Sequence, residues 1–290
     1  MKQNQSKVLA LVLCLAGLSL IFYPFISDYL NKQELASVMD KQEAQVQTVV
    51  KKDTTLVDKE FNRALEYNKS LVDGTNVITD PFDPNRSDLS TNDYMRCLNI
   101  MGDGVMGSID FPTLKSKLPI YHGVEEDVLL KGVGHLETTS LPVGGESSHC
   151  VLTGHTGLPS IQIFDDINKL KVGDYFVINI LGKDIAYSVY DIETVLPGDT
   201  SSLGIYKGED VCTLVTCTPY GINTHGLLVH AKRVEVPESY NAKKTQSNAQ
   251  IFEKNTSLVS YSLFGLAAGV GLVSVYIHIN RKQNKEEDNN

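Results

Sequence analysis

Between about residues 106 and 235 the apolar positions come in short bursts separated by Gly, Pro, Asp and Asn. The bursts Met106–Phe111, Leu118–Tyr121, His149–Gly154, Tyr175–Ile180, Asp184–Val195, Val211–Cys217 and Gly226–Val234 are rich in β-branched residues and predict strands. Val124–Lys131 and Ile161–Leu170 carry helix-compatible patterns. Short strands at this spacing predict a mainly β domain, a closed or partly closed antiparallel barrel.

Upstream, Leu35, Val38, Met39, Val46, Val49, Val50, Phe61, Leu65 and Tyr67 recur at helical spacing. They predict one or two amphipathic helices, with a solvated spacer as the competing reading. Asp73–Asn92 then changes character: two prolines, a glycine and many short polar residues predict a loop. A long loop of this kind is often a functional lid, and Asp80-Pro81-Phe82 within it would present a carboxylate and a ring on a stiff backbone.

Two longer apolar runs lie near the ends. Val8–Tyr23 follows Lys2 and Lys7, and Leu258–Ile279 precedes Arg281, Lys282 and Lys285. The second is long enough to span about 30 Å of hydrocarbon as a helix. The first is shorter, but no small-x-small cleavage site follows it closely, so an anchor is favoured over a cleaved signal. Basic residues on the outer flank of both runs place both termini in the cytoplasm and the domain between them outside.

A net charge of −9 and a pI near 5.3, with no basic stripe, argue against a nucleic-acid partner. The five cysteines include no C-x-x-C pair and no zinc-like spacing, so neither metal nor cofactor is expected. Cys217 ends the strand-like run Thr213–Cys217, just before the turn Thr218-Pro-Tyr-Gly221. A cysteine there is either a small core hydrophobe or a sulfur held rigidly at a surface. His155 also ends an apolar run, in Val151-Leu-Thr-Gly-His155-Thr-Gly. An imidazole near a thiol favours the thiolate, which makes the two a candidate pair for nucleophilic catalysis; a buried structural histidine is the alternative.

The segments Met106–Gly123, Lys131–Pro159, Lys169–Phe176 and Thr213–His225 closely resemble the sortases, and among them the class C, pilin-polymerising sortases of Gram-positive bacteria. The resemblance implies an eight-stranded sortase β-barrel with short helices, an N-terminal helical extension and two transmembrane helices. It implies a cysteine transpeptidase that cleaves an LPxTG-like signal between Thr and Gly through a thioester, released by a lysine amine of the next pilin. Pilin subunits and the membrane are the implied partners, with cell-wall precursor as the partner of a housekeeping-type alternative. By motif, Cys217 is the nucleophile, His155 its partner and proton donor, and Asp80, Pro81 and Phe82 the lid. The family has an arginine after the Thr-His of this motif; here that position is Gly226. The departure implies a weakened enzyme, one completed by a partner, or a sortase-like assembly factor that binds pilin without joining it. It also implies a looser lid, since Asp80 lacks its usual ionic partner.

The expected organisation is therefore a cytoplasmic stub and first span (1–27), helical extension (28–72), lid (73–95), catalytic barrel (96–240), linker (241–257), second span (258–280) and cytoplasmic tail (281–290).

Overall fold

The computed structural model describes residues 33–49, 53–72, 78–83, 89–158 and 161–242, with a few isolated positions before residue 33. The two apolar terminal runs lie almost wholly outside these residues. Among the described residues no helix is long and apolar enough to cross a membrane. The chain divides into two units, Met1–Val236 and Pro237–Asn290, and in the second only residues 237–242 are described.

Residues 33–49 are helical (α1), and α2 follows at Thr54–Val72. The Asp53 carboxylate caps α2 by accepting from the amides of Thr55 and Leu56. Along α2, Val57, Glu60, Ala64, Asn68 and Leu71 are buried, a spacing that places them on one face. Asn68 uses its side-chain amide as a strand would use its backbone. It donates to the Leu141 carbonyl at 3.1 Å and accepts from the Leu141 amide at 2.7 Å.

Eight strands close a barrel in the order β1-β2-β3-β4-β7-β8-β6-β5. They are β1 Val105–Phe111, β2 Ser116–His122, β3 Val133–His135, β4 Ser148–Thr153, β5 Tyr175–Ile180, β6 Lys183–Val195, β7 Asp210–Thr218 and β8 His225–Val234. The barrel is closed, as expected, but it is not wholly antiparallel: β2 pairs with β3 and β4 with β7 in parallel. The reason lies in the connections. Parallel neighbours need a crossover rather than a tight turn, and α4 (Glu126–Leu129) and the β4–β7 excursion through β5 and β6 supply it.

Alternation along the strands sorts side chains between two apolar clusters. Cys150, Leu152, Cys212, Leu214, Val229 and Ala231 point into the barrel core. Their neighbours Val151, Val215 and Leu228 point outward into a smaller cluster, where Leu203 of the β6–β7 connection covers them. Ile78, Phe82 and Val195 pack against that outer cluster. Val211 to Thr216 is buried throughout, because the strand has the core on one side and this cover on the other.

Two expectations need correction. Ile161–Leu170 is not a helix: only a single 3-10 turn forms, at Ile167–Lys169. Its apolar residues Ile161, Ile163, Phe164, Ile167 and Leu170 are all buried against the barrel, so burial rather than helical periodicity set their spacing. Asn92, predicted as loop, begins the short helix α3 (Asn92–Arg96), capped by the Thr91 hydroxyl. Cys97 follows it, buried, with its carbonyl 2.7 Å from His122 Nε2.

Candidate active site

Strand register brings the two candidate reactive residues together. The β4/β7 ladder ends at Thr153↔Val215, and beyond it the Gly154 amide donates to the Val215 carbonyl while Thr216 Oγ1 donates to the Gly154 carbonyl. Two steps further on each chain stand His155 and Cys217. Both therefore leave neighbouring parallel strands, about 4.8 Å apart, on the same outer face. The following loops meet as well: a Cβ on Gly157 would lie 3.3 Å from the Gly221 amide nitrogen.

Gly154 is a glycine for a packing reason. A Cβ there would fall 2.8 Å from Ile163 Cγ2 and 2.9 Å from the Phe164 ring. Phe164 is fully buried, and its amide donates to the His155 carbonyl, so the same close approach fixes the backbone of His155. The His155 ring Nε2 is 3.2 Å from the Glu126 carboxylate on α4. Its ring lies 5.8 Å from that of Phe82, centroid to centroid.

A cleft of about 590 Å³ is lined by Cys217, Asp80, Pro81, Phe82, Val215, Leu228, Gly226, His225, Asn223 and the stretch Val195–Thr200. Burial, and secondarily the nearby Asp80 charge, pushes the Cys217 thiol up to about 11. In this closed arrangement Cys217 is a neutral thiol rather than a thiolate.

Asp80 is held by two backbone amides. Its Oδ1 accepts from the Phe82 amide at 2.9 Å, and its Oδ2 from the Gly198 amide of the β6–β7 connection at 2.8 Å. Thr200 Oγ1 donates to the Ile78 carbonyl nearby. Residues 78–83 of the lid are thus tied to the β6–β7 connection through Gly198 and Thr200.

Gly226 is the strand partner of Cys217 on one side and of Val195 on the other. Its backbone is ordinary strand, and a Cβ would stand 3.1 Å from Val195 Cγ2. His225, which strand parity turns away, lines the cleft because it sits at the very start of β8, beside the turn. Sequence reasoning missed His225, Asn223, Glu126 and Gly198 as parts of the site; only His225 carried a chemical signal. Among the described residues no group of three or more His, Cys, Asp or Glu side chains is arranged to hold a metal ion.

Residues 109–234 match the sortase domain family. The chain is 45% identical to sortase C-1 of Actinomyces oris, in a match covering 62% of this chain and 99% of that one, with a TM-score of 0.58. The chain belongs to the sortase family. Its solved neighbours are class C sortases. Sortase C1 of Streptococcus agalactiae matches at 37% identity and a TM-score of 0.63, covering 70% of this chain and 99% of that one. Sortase C of Streptococcus pneumoniae matches at 37% identity and a TM-score of 0.63, covering 69% and 97%. Among curated relatives, sortase D of Bacillus subtilis is 28% identical over 44% of this chain, and sortase A of Streptococcus agalactiae 26% identical over 49%. This sortase spans 63% and 58% of the lengths of those two proteins.

Proposed function

We propose that this sortase is a membrane-anchored cysteine transpeptidase that cleaves an LPxTG-like signal on pilin subunits and joins them through a lysine amine. The observation that carries the reading is the in-register exit of His155 and Cys217 from adjacent parallel strands, with the lid residue Phe82 both against the His155 ring and in the wall of the Cys217 cleft. In this scheme the Cys217 thiol passes its proton to His155 once the lid is away, and the thiolate attacks the carbonyl between Thr and Gly, forming a thioester as the C–N bond breaks. His155 gives its proton to the leaving amine. The lysine amine of the next subunit then attacks the thioester, expelling the Cys217 sulfur and leaving an isopeptide bond. Glu126 holds the His155 ring between turnovers. The lid of Asp80, Pro81 and Phe82 must move aside before a peptide can enter, since Phe82 and Asp80 wall the cleft beside Cys217.

The terminal apolar runs would anchor the protein, with the barrel outside the cell. Pilin as substrate draws support from the class C neighbours, among them the Streptococcus pneumoniae enzyme, whose structure was described in terms of pilin substrate specificity. Gly226 favours a second reading, a sortase-like assembly factor that binds pilin and joins it slowly or not at all. Losing one donor to a developing oxyanion typically lowers a rate by about 10²–10³, so nucleophile and acid alone would leave measurable turnover.

The deciding experiment incubates the protein with an LPxTG-type peptide and an amine, and follows Cys217 by mass spectrometry. A thioester and an amine-trapped product, both lost in Cys217→Ala, are expected. If wild type forms no adduct while Gly226→Arg does, the transpeptidase reading gives way to the assembly factor.

A further inference from the structure

A chain of buried polar groups crosses four strands on the outer face, below the cleft. His149 Nδ1 lies 2.7 Å from the Gly204 carbonyl, and His149 Nε2 lies 2.7 Å from Thr213 Oγ1. Thr213 Oγ1 lies 2.8 Å from His230 Nδ1, and His230 Nε2 lies 3.0 Å from Glu193 Oε1. Ser202 donates to the same Glu193 oxygen at 2.7 Å. His149, Thr213 and His230 are buried; Glu193 alone reaches solvent. Gly204 and Ser202 belong to the β6–β7 connection, so both ends of the chain hold the segment that carries Gly198 and Leu203 over the Cys217 cleft.

Counting hydrogens gives the inference. The Gly204 carbonyl and an ionised Glu193 can only accept, so the four links from Gly204 to Glu193 need four hydrogens. Neutral His149, Thr213 and neutral His230 supply three. The His149 Nδ1 hydrogen goes to the carbonyl, which leaves its Nε2 to accept from the Thr213 hydroxyl. Thr213 must then accept from His230 Nδ1–H, and the fourth hydrogen has to lie between His230 Nε2 and Glu193.

We propose that His149, Thr213, His230 and Glu193 form a tether that takes up one extra proton on its His230–Glu193 pair, and so positions the β6–β7 connection over the cleft. Burial, first of all, holds the His149 imidazole down to about 4, which keeps it neutral. Hydrogen bonds from Ser202 and then His230 hold the Glu193 carboxyl below its usual range, so the carboxylate enters the count as an acceptor only. The other titratable groups around the tether are Tyr190 against the His230 ring, Lys232 over Tyr190, Asp191 on β6, and Tyr206 against His149. Glu209 engages Lys232, and Asp199 lies on the connection itself. All four tether residues are positioning residues, since none touches Cys217. The inference rests on the barrel alone and stands or falls apart from the transpeptidase reading.

Nitrogen-15 histidine labelling of the full chain tests it. At neutral pH the His230 ring should show both nitrogens protonated, and the His149 ring a protonated Nδ1 with a bare Nε2. Hydrogen exchange at the Asp199, Leu203 and Glu209 amides, corrected for intrinsic pH dependence, should speed up roughly tenfold once alkaline pH removes the extra proton. Glu193→Gln supplies the fourth hydrogen from its own amide. In that variant His230 should become neutral, and loop exchange should no longer depend on pH. A purely structural role would leave both pH profiles alike. A bare nitrogen on His230 in wild type at neutral pH, or an unchanged pH profile in Glu193→Gln, overturns the proposal. The wild-type spectrum decides even if the variant folds poorly.

Discussion

Asp80 Oδ2 accepts the Gly198 amide at 2.8 Å, so among the described residues the carboxylate that covers the thiol is held by backbone amides. The lid and the β6–β7 connection are therefore mechanically one piece. Asp80 is also the charge that, after burial, does most to keep the Cys217 thiol protonated. One group thus closes the cleft and quiets its nucleophile.

Replacing Asp80 by Ala removes both effects. Alkylation of Cys217 by iodoacetamide at pH 7.5 should accelerate by roughly tenfold, a factor matching about one pKa unit at the thiol. The rate-versus-pH midpoint should move down from about 11. An unchanged rate would mean that burial by Phe82 and Leu228 alone sets the thiol's state.

Gly226→Arg should be tolerated by the barrel. Its new Cβ meets Val195 Cγ2 at 3.1 Å, a contact relieved by a few tenths of an ångström. A stability loss of no more than about 1 kcal/mol is expected, and Val195→Ala in the same chain should relieve the contact. The guanidinium would enter the cleft beside Cys217 and opposite Asp80. Thioester formation with an LPxTG-type peptide should then rise by about 10²-fold. Urea melts and single-turnover mass spectrometry on the single and double variants check both numbers.

Gly154→Ala should behave in the opposite way. The added methyl overlaps Ile163 and Phe164, both buried, and overpacking of this kind typically costs about 1–3 kcal/mol. Because Phe164 donates to the His155 carbonyl, the histidine moves with it. Thioester formation should fall further than the melting temperature alone would explain. Companion Phe164→Leu, which makes room for the methyl, should recover part of it.

Acidification should destabilise the fold before the carboxylates titrate. Burial depresses His149 to about 4 and also lowers His122. Between pH 6.5 and 4 the unfolded chain binds these protons and the native chain refuses them, so stability is full above pH 6.5 and falls on going down. His149 alone accounts for on the order of 3 kcal/mol over that window. Urea unfolding at pH 7 and pH 4.5 measures the loss, and a flat profile would contradict the burial of these rings.

The strands were legible because each carries its own alternation and turn residues, and the observed boundaries differ from the expected ones by a residue or two. Strand order was not. Val133–His135 is only three residues long and shows no period, and nothing local to Ser148–Thr153 says that it lies beside β7 in parallel. Cys217 and His155 stood out because their types bear chemistry at strand ends. Glu126 and Gly198 did not. One is a surface carboxylate on a single helical turn, and the other acts through a backbone amide that every residue but proline owns.

Asn68 reaches across from α2 to complete both hydrogen bonds of Leu141, some forty residues before the first strand of the barrel and well outside the segment 109–234 that defines the family. That pairing sets the limits of dissection. A fragment cut at the family boundary would strip the Leu141 amide of its Asn68 partner, leave the Leu141 carbonyl with the Val143 amide only, and bare the apolar face that Val57, Ala64 and Leu71 now cover. The smallest piece of this sortase able to fold by itself therefore starts at or before Asp53, the residue that caps the helix.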